Sequence, residues 1–282
     1  MQFNSAANSS LSWLADTPQL IQIMFFFIIW ILCWLPVGVV CATALSWRPT
    51  KSLPPEQKLP LVVSLYLLAP LVIWGASRFT NKSFSDYGLV INFSTLTSMA
   101  LGLGLGVVSL AVVFTGQLSC GWCVWCADNA KTRLPGVILP ILLVALFIAG
   151  IEELVFRGLV VTQLATNYSY EAAAVISSLI FALLHLVWEQ PETIPQLPGL
   201  WLMGMVLVLA RFADGGSLGL AWGLHAGWVW AIAMIDTAQL ITYPGKVSDL
   251  VTGKNQKPLA GATGIICVVG TAGILWLFSG SF

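Results

Sequence analysis

The chain reads as long apolar runs separated by short polar stretches. A bilayer core needs about 20 mostly apolar residues per crossing helix. Runs of that kind lie near 20–45, 59–77, 94–116, 135–164, 172–188, 198–212, 217–236 and 259–280. The fourth exceeds one straight crossing, which implies tilt or a segment projecting beyond the lipid. The fifth and sixth are short, as tilted or shifted spans would be. The pattern predicts an all-α polytopic membrane protein with about eight transmembrane helices. No internal repeat is evident.

Composition strengthens this picture. Hydrophobic residues make up 58% and charged residues 9%, against about 45–50% and about 25% in an ordinary soluble domain. Twelve Lys and Arg balance twelve Asp and Glu, too few charges to clothe a globule in water. Nucleic-acid binding has no support, because no basic tract or face exists. Disorder is excluded by the apolar content. No G-K-[ST] phosphate loop is present, so nothing points to an ATP-driven pump. Loop Lys and Arg set orientation. The loops around 46–58, 117–134 and 237–258 carry eight of them, Arg48, Lys51, Lys58, Lys131, Arg133, Lys246, Lys254 and Lys257. The opposite side carries Arg78, Lys82 and Arg211. The N-terminus is therefore expected outside.

The informative residues are those that interrupt the apolar runs. An ionisable group at membrane depth is costly and usually faces a protein interior where it acts. Glu152 and Glu153 follow the stretch Val137–Gly150 without a break, with Arg157 four residues after Glu153. Helix geometry sets the two carboxylates about 100° apart and puts Glu153 and Arg157 on one face as a pair. Glu152 is left without a permanent partner, and such a carboxylate can take or give a proton. His185 closes an apolar helix one turn after Phe181 and about one turn before Trp188. His225 lies within another, preceded by Gly215-Gly216-Ser217-Leu218. These are the chain's two histidines. Gly219, Gly223 and Gly227 form a seam that lets a neighbouring helix approach closely, and His225 points roughly away from it. Gly102, Gly104 and Gly106 suit close helix packing as well. They are not a dinucleotide loop, since no strand precedes them. The six cysteines do not make a disulfide framework. Cys120, Cys123 and Cys126 form C-G-W-C-V-W-C, whose spacing can ligate zinc or an iron–sulfur cluster but falls one ligand short. The plainer reading is an interfacial loop with Trp122 and Trp125 at headgroup level.

Two histidines and a carboxylate on three helices can build a metal site or a general-base site. Their pattern, Glu152-Glu153-x-x-x-Arg157, then Phe181-x-x-x-His185, then His225, resembles the CAAX-protease and bacteriocin-processing (CPBP, or Abi) family of intramembrane proteases. Order and spacing match over about residues 135–235, as does the Gly-Gly-Ser-Leu lead-in. The organisation expected is N-terminal helices over 1–134, a protease-like core over 135–235 and a last loop and helix over 236–282. Val229 departs from the pattern, since the family places Asn or a similar polar residue four after the second histidine. Losing one oxyanion donor typically costs roughly 10²–10³ in rate. Either another donor substitutes, or the enzyme is slow, or this copy is not a protease.

The resemblance implies hydrolysis of a membrane-associated peptide or lipidated protein tail inside the helical bundle. Glu152 would activate water, His185 would hold that water, His225 would stabilise the oxyanion, and Glu153 with Arg157 would fix the helix. No cofactor is required on this reading. The alternative is zinc held by His185, His225 and Glu152, although H-E-x-x-H is absent. Two other classes stay open: a non-catalytic membrane scaffold or self-immunity protein of the same fold, which Val229 favours, and a proton-coupled transporter, against which the lack of a repeat argues. The partners implied are the lipid bilayer and a membrane substrate, with no nucleic acid, and the setting is a multi-pass protein of the cell membrane. Nothing encodes a prenyl preference.

Overall fold

The computed structural model describes residues 17–47, 55–80, 82–187 and 190–279. Trp188, Arg48 and Lys51 lie outside them. Eight long helices stand where the apolar runs predict them: α1 Gln19–Ala44, α2 Pro55–Thr80, α3 Phe93–Ser119, α4 Leu134–Leu164, α5 Tyr170–Leu184, α6 Leu197–Ala213, α7 Gly219–Ala238 and α8 Ala262–Ser279. Among the described residues, six helical stretches are long and apolar enough to cross a membrane. The fifth and sixth lengthen into Tyr170–Val187 and Pro191–Ala213, so neither run is as short as its apolar stretch suggests. The other two helices are α7, which carries His225 and its glycines, and α8, whose apolar part is Ala262–Leu277. The chain is a multi-pass integral membrane protein.

The turns between helices meet at two ends, as alternating passes require. At one end Leu218 N–H donates to Gly88 O at 2.9 Å, joining the α2–α3 and α6–α7 connections. At the other, β1 (Val124–Trp125) pairs antiparallel with β2 (Ile241–Thr242). Asn129 adds a side-chain bond to Gln239 O at 2.9 Å. The cysteine-rich loop is thus clipped to the α7–α8 connection by a two-strand ladder. Cys123 is buried there, Cys120 is exposed and Cys126 is intermediate.

α7 runs through the middle of the bundle, and its sequence explains how closely α3 lies against it. A Cβ on Gly223 would stand 1.9 Å from Met99 O, and one on Gly227 would stand 2.6 Å from Leu103 O. From the facing helix, Gly102 and Gly106 would meet Leu220 O at 2.3 Å and Leu224 O at 2.7 Å. The expected seam is therefore two-sided, backbone against backbone. Gly104 has open space at its Cβ and takes no part. On the far side of α7, Trp222 lies over Gly150 of α4 and donates its indole N–H to Leu146 O at 2.7 Å. Small residues on one face and large aromatic ones on the other fix both the distance and the rotation of α7.

Gly223→Val forces backbone against backbone, and overpacking of this kind costs about 1–3 kcal/mol or more. It should lower the thermal midpoint of the detergent-purified protein sharply or abolish the folded peak on size exclusion. Gly104→Ala, which meets nothing, should leave the midpoint within a few degrees of wild type.

Candidate active site

α4 changes character where its charges begin. From Glu153 to Val160 the backbone widens into π-helical turns, and Val161 N–H reaches back to Phe156 O. Such widening is rare and concentrates at functional sites. It turns carbonyls toward neighbouring helices. Phe156 O accepts the Ser177 hydroxyl of α5 at 2.9 Å. Arg157 O accepts the Arg211 guanidinium of α6, which also donates to Gly216 O at 3.0 Å and Thr162 Oγ1 at 3.1 Å. Arg211 is buried. This corrects its placement among the outer loop charges, since it is an internal brace between α6, α4 and the Gly215–Gly216 turn.

Glu153 and Arg157 are both fully buried. Arg157 Nη1 donates to Glu153 Oε1 at 2.9 Å, as the i,i+4 spacing predicts. Arg157 Nη2 donates to Gly204 O at 3.2 Å, and the guanidinium lies 4.4 Å over the Phe181 ring. Glu153 Oε1 also faces His225 Nδ1 at 2.7 Å. A carboxylate oxygen accepts, so Nδ1 carries the hydrogen and Nε2 turns toward Glu152. The Nε2–Glu152 Oε2 separation is 3.5 Å. The other oxygen, Glu152 Oε1, accepts the Tyr66 hydroxyl of α2 at 2.5 Å. Glu152 therefore lacks a dedicated cation, as expected, but it has a phenol partner that motif reading did not supply. The signal was a lone tyrosine within an apolar run, since a buried Tyr O–H usually finds an acceptor.

His185 ends α5, its Nδ1 donating to Phe181 O at 2.8 Å. That bond leaves Nε2 as an acceptor. Phe181 is completely buried. Its ring meets His185 edge-on at 4.6 Å, His225 at 5.9 Å and Phe156 at 5.2 Å. One phenylalanine thus spaces both histidines and carries the arginine.

Glu152, His185, His225 and Val229 line one cavity of about 350 Å³, whose polar rim includes Gln196, Asp236 and Lys257. Glu153 and Arg157 are not in its wall and stand behind His225. Val229 presents a methyl surface to the cavity. Neighbouring Trp228 spends its indole N–H on Ser109 Oγ at 3.0 Å, so it does not replace the missing donor. Among the described residues no three His, Cys, Asp or Glu side chains converge closely enough to hold a metal ion. Glu152, His185 and His225 do not form such a group among the described residues, nor do Cys120, Cys123 and Cys126.

Residues 134–231 match the family model of the type II CAAX prenyl endopeptidase Rce1-like proteins. The match covers all three motifs and bears out the resemblance read from them. No curated protein and no solved structure matches the chain.

Truncating one partner of a buried ion pair costs about 3–5 kcal/mol, whereas replacing both with apolar residues is often neutral. Arg157→Ala should therefore destabilise the protein strongly in thermal denaturation. Glu153→Leu combined with Arg157→Leu should recover much of the loss.

Proposed function

We propose that this chain, Rce1-like through its central helices, is an intramembrane endopeptidase that cleaves a membrane-associated peptide or lipidated tail with a glutamate-activated water. The observation that carries this reading is Glu152 Oε2 standing 3.5 Å from a histidine whose tautomer is set by a second glutamate, in the wall of a cavity that also holds His185. A carboxylate acts as general base when it reaches the proton it takes directly or through one water. A low-dielectric setting strengthens hydrogen bonds to a developing oxyanion.

In the proposed reaction, water sits between Glu152 and His185, whose free Nε2 accepts one of its hydrogen bonds. Glu152 Oε2 takes the other proton as the oxygen adds to the scissile carbonyl carbon. The oxyanion faces His225, which in the proposed step carries hydrogens on both ring nitrogens, so that Nε2–H donates to it while Nδ1–H stays bonded to Glu153. The C–N bond then breaks, and the proton held by Glu152 passes to the leaving amine. Glu153 and Arg157 keep His225 aimed. No cofactor enters.

Orientation follows from charge. Once Arg211 is recognised as internal, Arg78 and Lys82 remain against the eight basic residues of the other end. That basic end is also the end of the cavity rim, so the cavity faces the cytoplasm. Burial pushes the Cys123 thiol up from its ordinary pKa, which lowers its thiolate fraction and its reactivity. A membrane-impermeant maleimide should therefore label exposed Cys120 in inside-out vesicles and not in right-side-out ones, with Cys123 reacting much more slowly.

The decisive experiment sets wild type against Glu152→Gln on lipidated and plain quenched peptides in detergent or nanodiscs. Wild type should cleave, the variant should not, and chelators should change neither. Cleavage by a correctly folded Glu152→Gln protein would overturn the reading. Since Val229 faces the cavity, Val229→Asn should raise kcat by about tenfold or more, within the range set by one oxyanion donor.

A further inference from the structure

Tyr66 belongs to α2, well before the matched segment begins at residue 134. It nonetheless makes the shortest polar contact to Glu152, O–H to Oε1 at 2.5 Å. It is not part of the cavity wall, so no substrate held there would touch it. Its position is fixed from behind. The Trp30 ring of α1 lies 6.1 Å from the Tyr66 ring, and the Trp30 indole donates to Leu65 O, the adjoining carbonyl, at 2.9 Å.

We propose that Tyr66 is the positioning residue of the glutamate base: its hydroxyl clamps Oε1 so that Oε2 alone faces the cavity and His225. This rests on the reading of Glu152 as the base. A carboxylate can turn about its last torsion, which is broad and roughly two-fold. With one oxygen clamped, the other keeps a fixed lone-pair direction toward water. Proton transfer then has one geometry instead of several, and orientation of that kind lowers the barrier of the chemical step without changing how substrate binds. Helices α1 and α2 thereby acquire a role in the reaction although they lie outside the family match. They carry the clamp, and the Trp30 contact holds it in place.

Tyr66→Phe keeps the ring against Trp30 and removes only the O–H. In nanodiscs, on a peptide the wild type cleaves, it should lower kcat about 10- to 100-fold, the range of a hydrogen bond to a charged group. KM should stay within about twofold, and thermal stability should stay close to wild type. A kcat within about twofold of wild type would overturn the proposal, as would a rise in KM at unchanged kcat. Infrared spectroscopy supplies a readout independent of cleavage. The Glu152 carboxylate stretch, identified by its loss in Glu152→Gln, should shift in Tyr66→Phe, and an unmoved band would refute the clamp. If wild type cleaves no peptide, the endopeptidase reading fails while the infrared result still decides the clamp. If Tyr66→Phe does not fold, fluorotyrosine incorporated into wild type, which strengthens the donor, must move the same band.

Discussion

Everything near the cavity answers to one constraint: the Arg157 guanidinium and the Glu153 carboxylate must be held where neither water nor headgroups reach them. Isolated charges at such depth are costly, and an ion pair offsets that cost only with good geometry and further hydrogen bonds. Arg157 therefore collects Glu153, Gly204 O and the face of Phe181. The π-helical widening of α4 belongs to the same solution, because the carbonyls of Phe156 and Arg157 meet donors from α5 and α6. Even so, Glu153 Oε2 and Arg157 Nε have no hydrogen-bond partner among the described residues. The cluster keeps an electrostatic cost that a purely structural core of apolar side chains would avoid.

On the proposed reading that cost has a chemical use. Glu153 holds the Nδ1–H of His225 and so decides which nitrogen faces Glu152. Arg157 fixes Glu153, and the Phe181 ring touches the rings of both histidines while its carbonyl accepts from His185 Nδ1. The charged pair lies behind the cavity and the unpaired carboxylate lies in its wall. Two adjacent glutamates thereby hold different posts, one structural and one facing the space where a substrate would lie.

Much of this was legible in the sequence, and the limits are instructive. The eight apolar runs locate the eight long helices among the described residues, because lipid demands length and apolarity that few other contexts require. The i,i+4 rule pairs Glu153 with Arg157, and the glycine spacing on α7 marks the seam with α3. Tyr66 was invisible to motif reading because its partner is 86 residues away on another helix, and periodicity carries no information about such pairs. Arg211 reads as a loop charge because it sits near a helix end, yet its side chain turns inward to Arg157 O and Thr162 Oγ1 of α4 and to Gly216 O, partners that helix-end position does not reveal. The β1–β2 ladder also escapes prediction. Two residues per strand leave no alternation to detect, so the loop of Cys120, Cys123 and Cys126 reads as an interfacial loop without its strand partner.

The glycine seam has a bearing on the route into the cavity. α3 and α7 touch backbone to backbone along this seam and form one closely packed body. α4 is tied to that body through the Trp222 indole. The remaining walls are α6, the end of α5 and α8, and α8 turns Ile266, Val269 and Trp276 outward while Gly264, Cys267 and Val268 border the cavity. Anything approaching sideways through the lipid meets the glycine-seamed helices on one side and, on the other, α6, the end of α5 and α8, where Gly270 and Gly273 meet nothing within 4 Å.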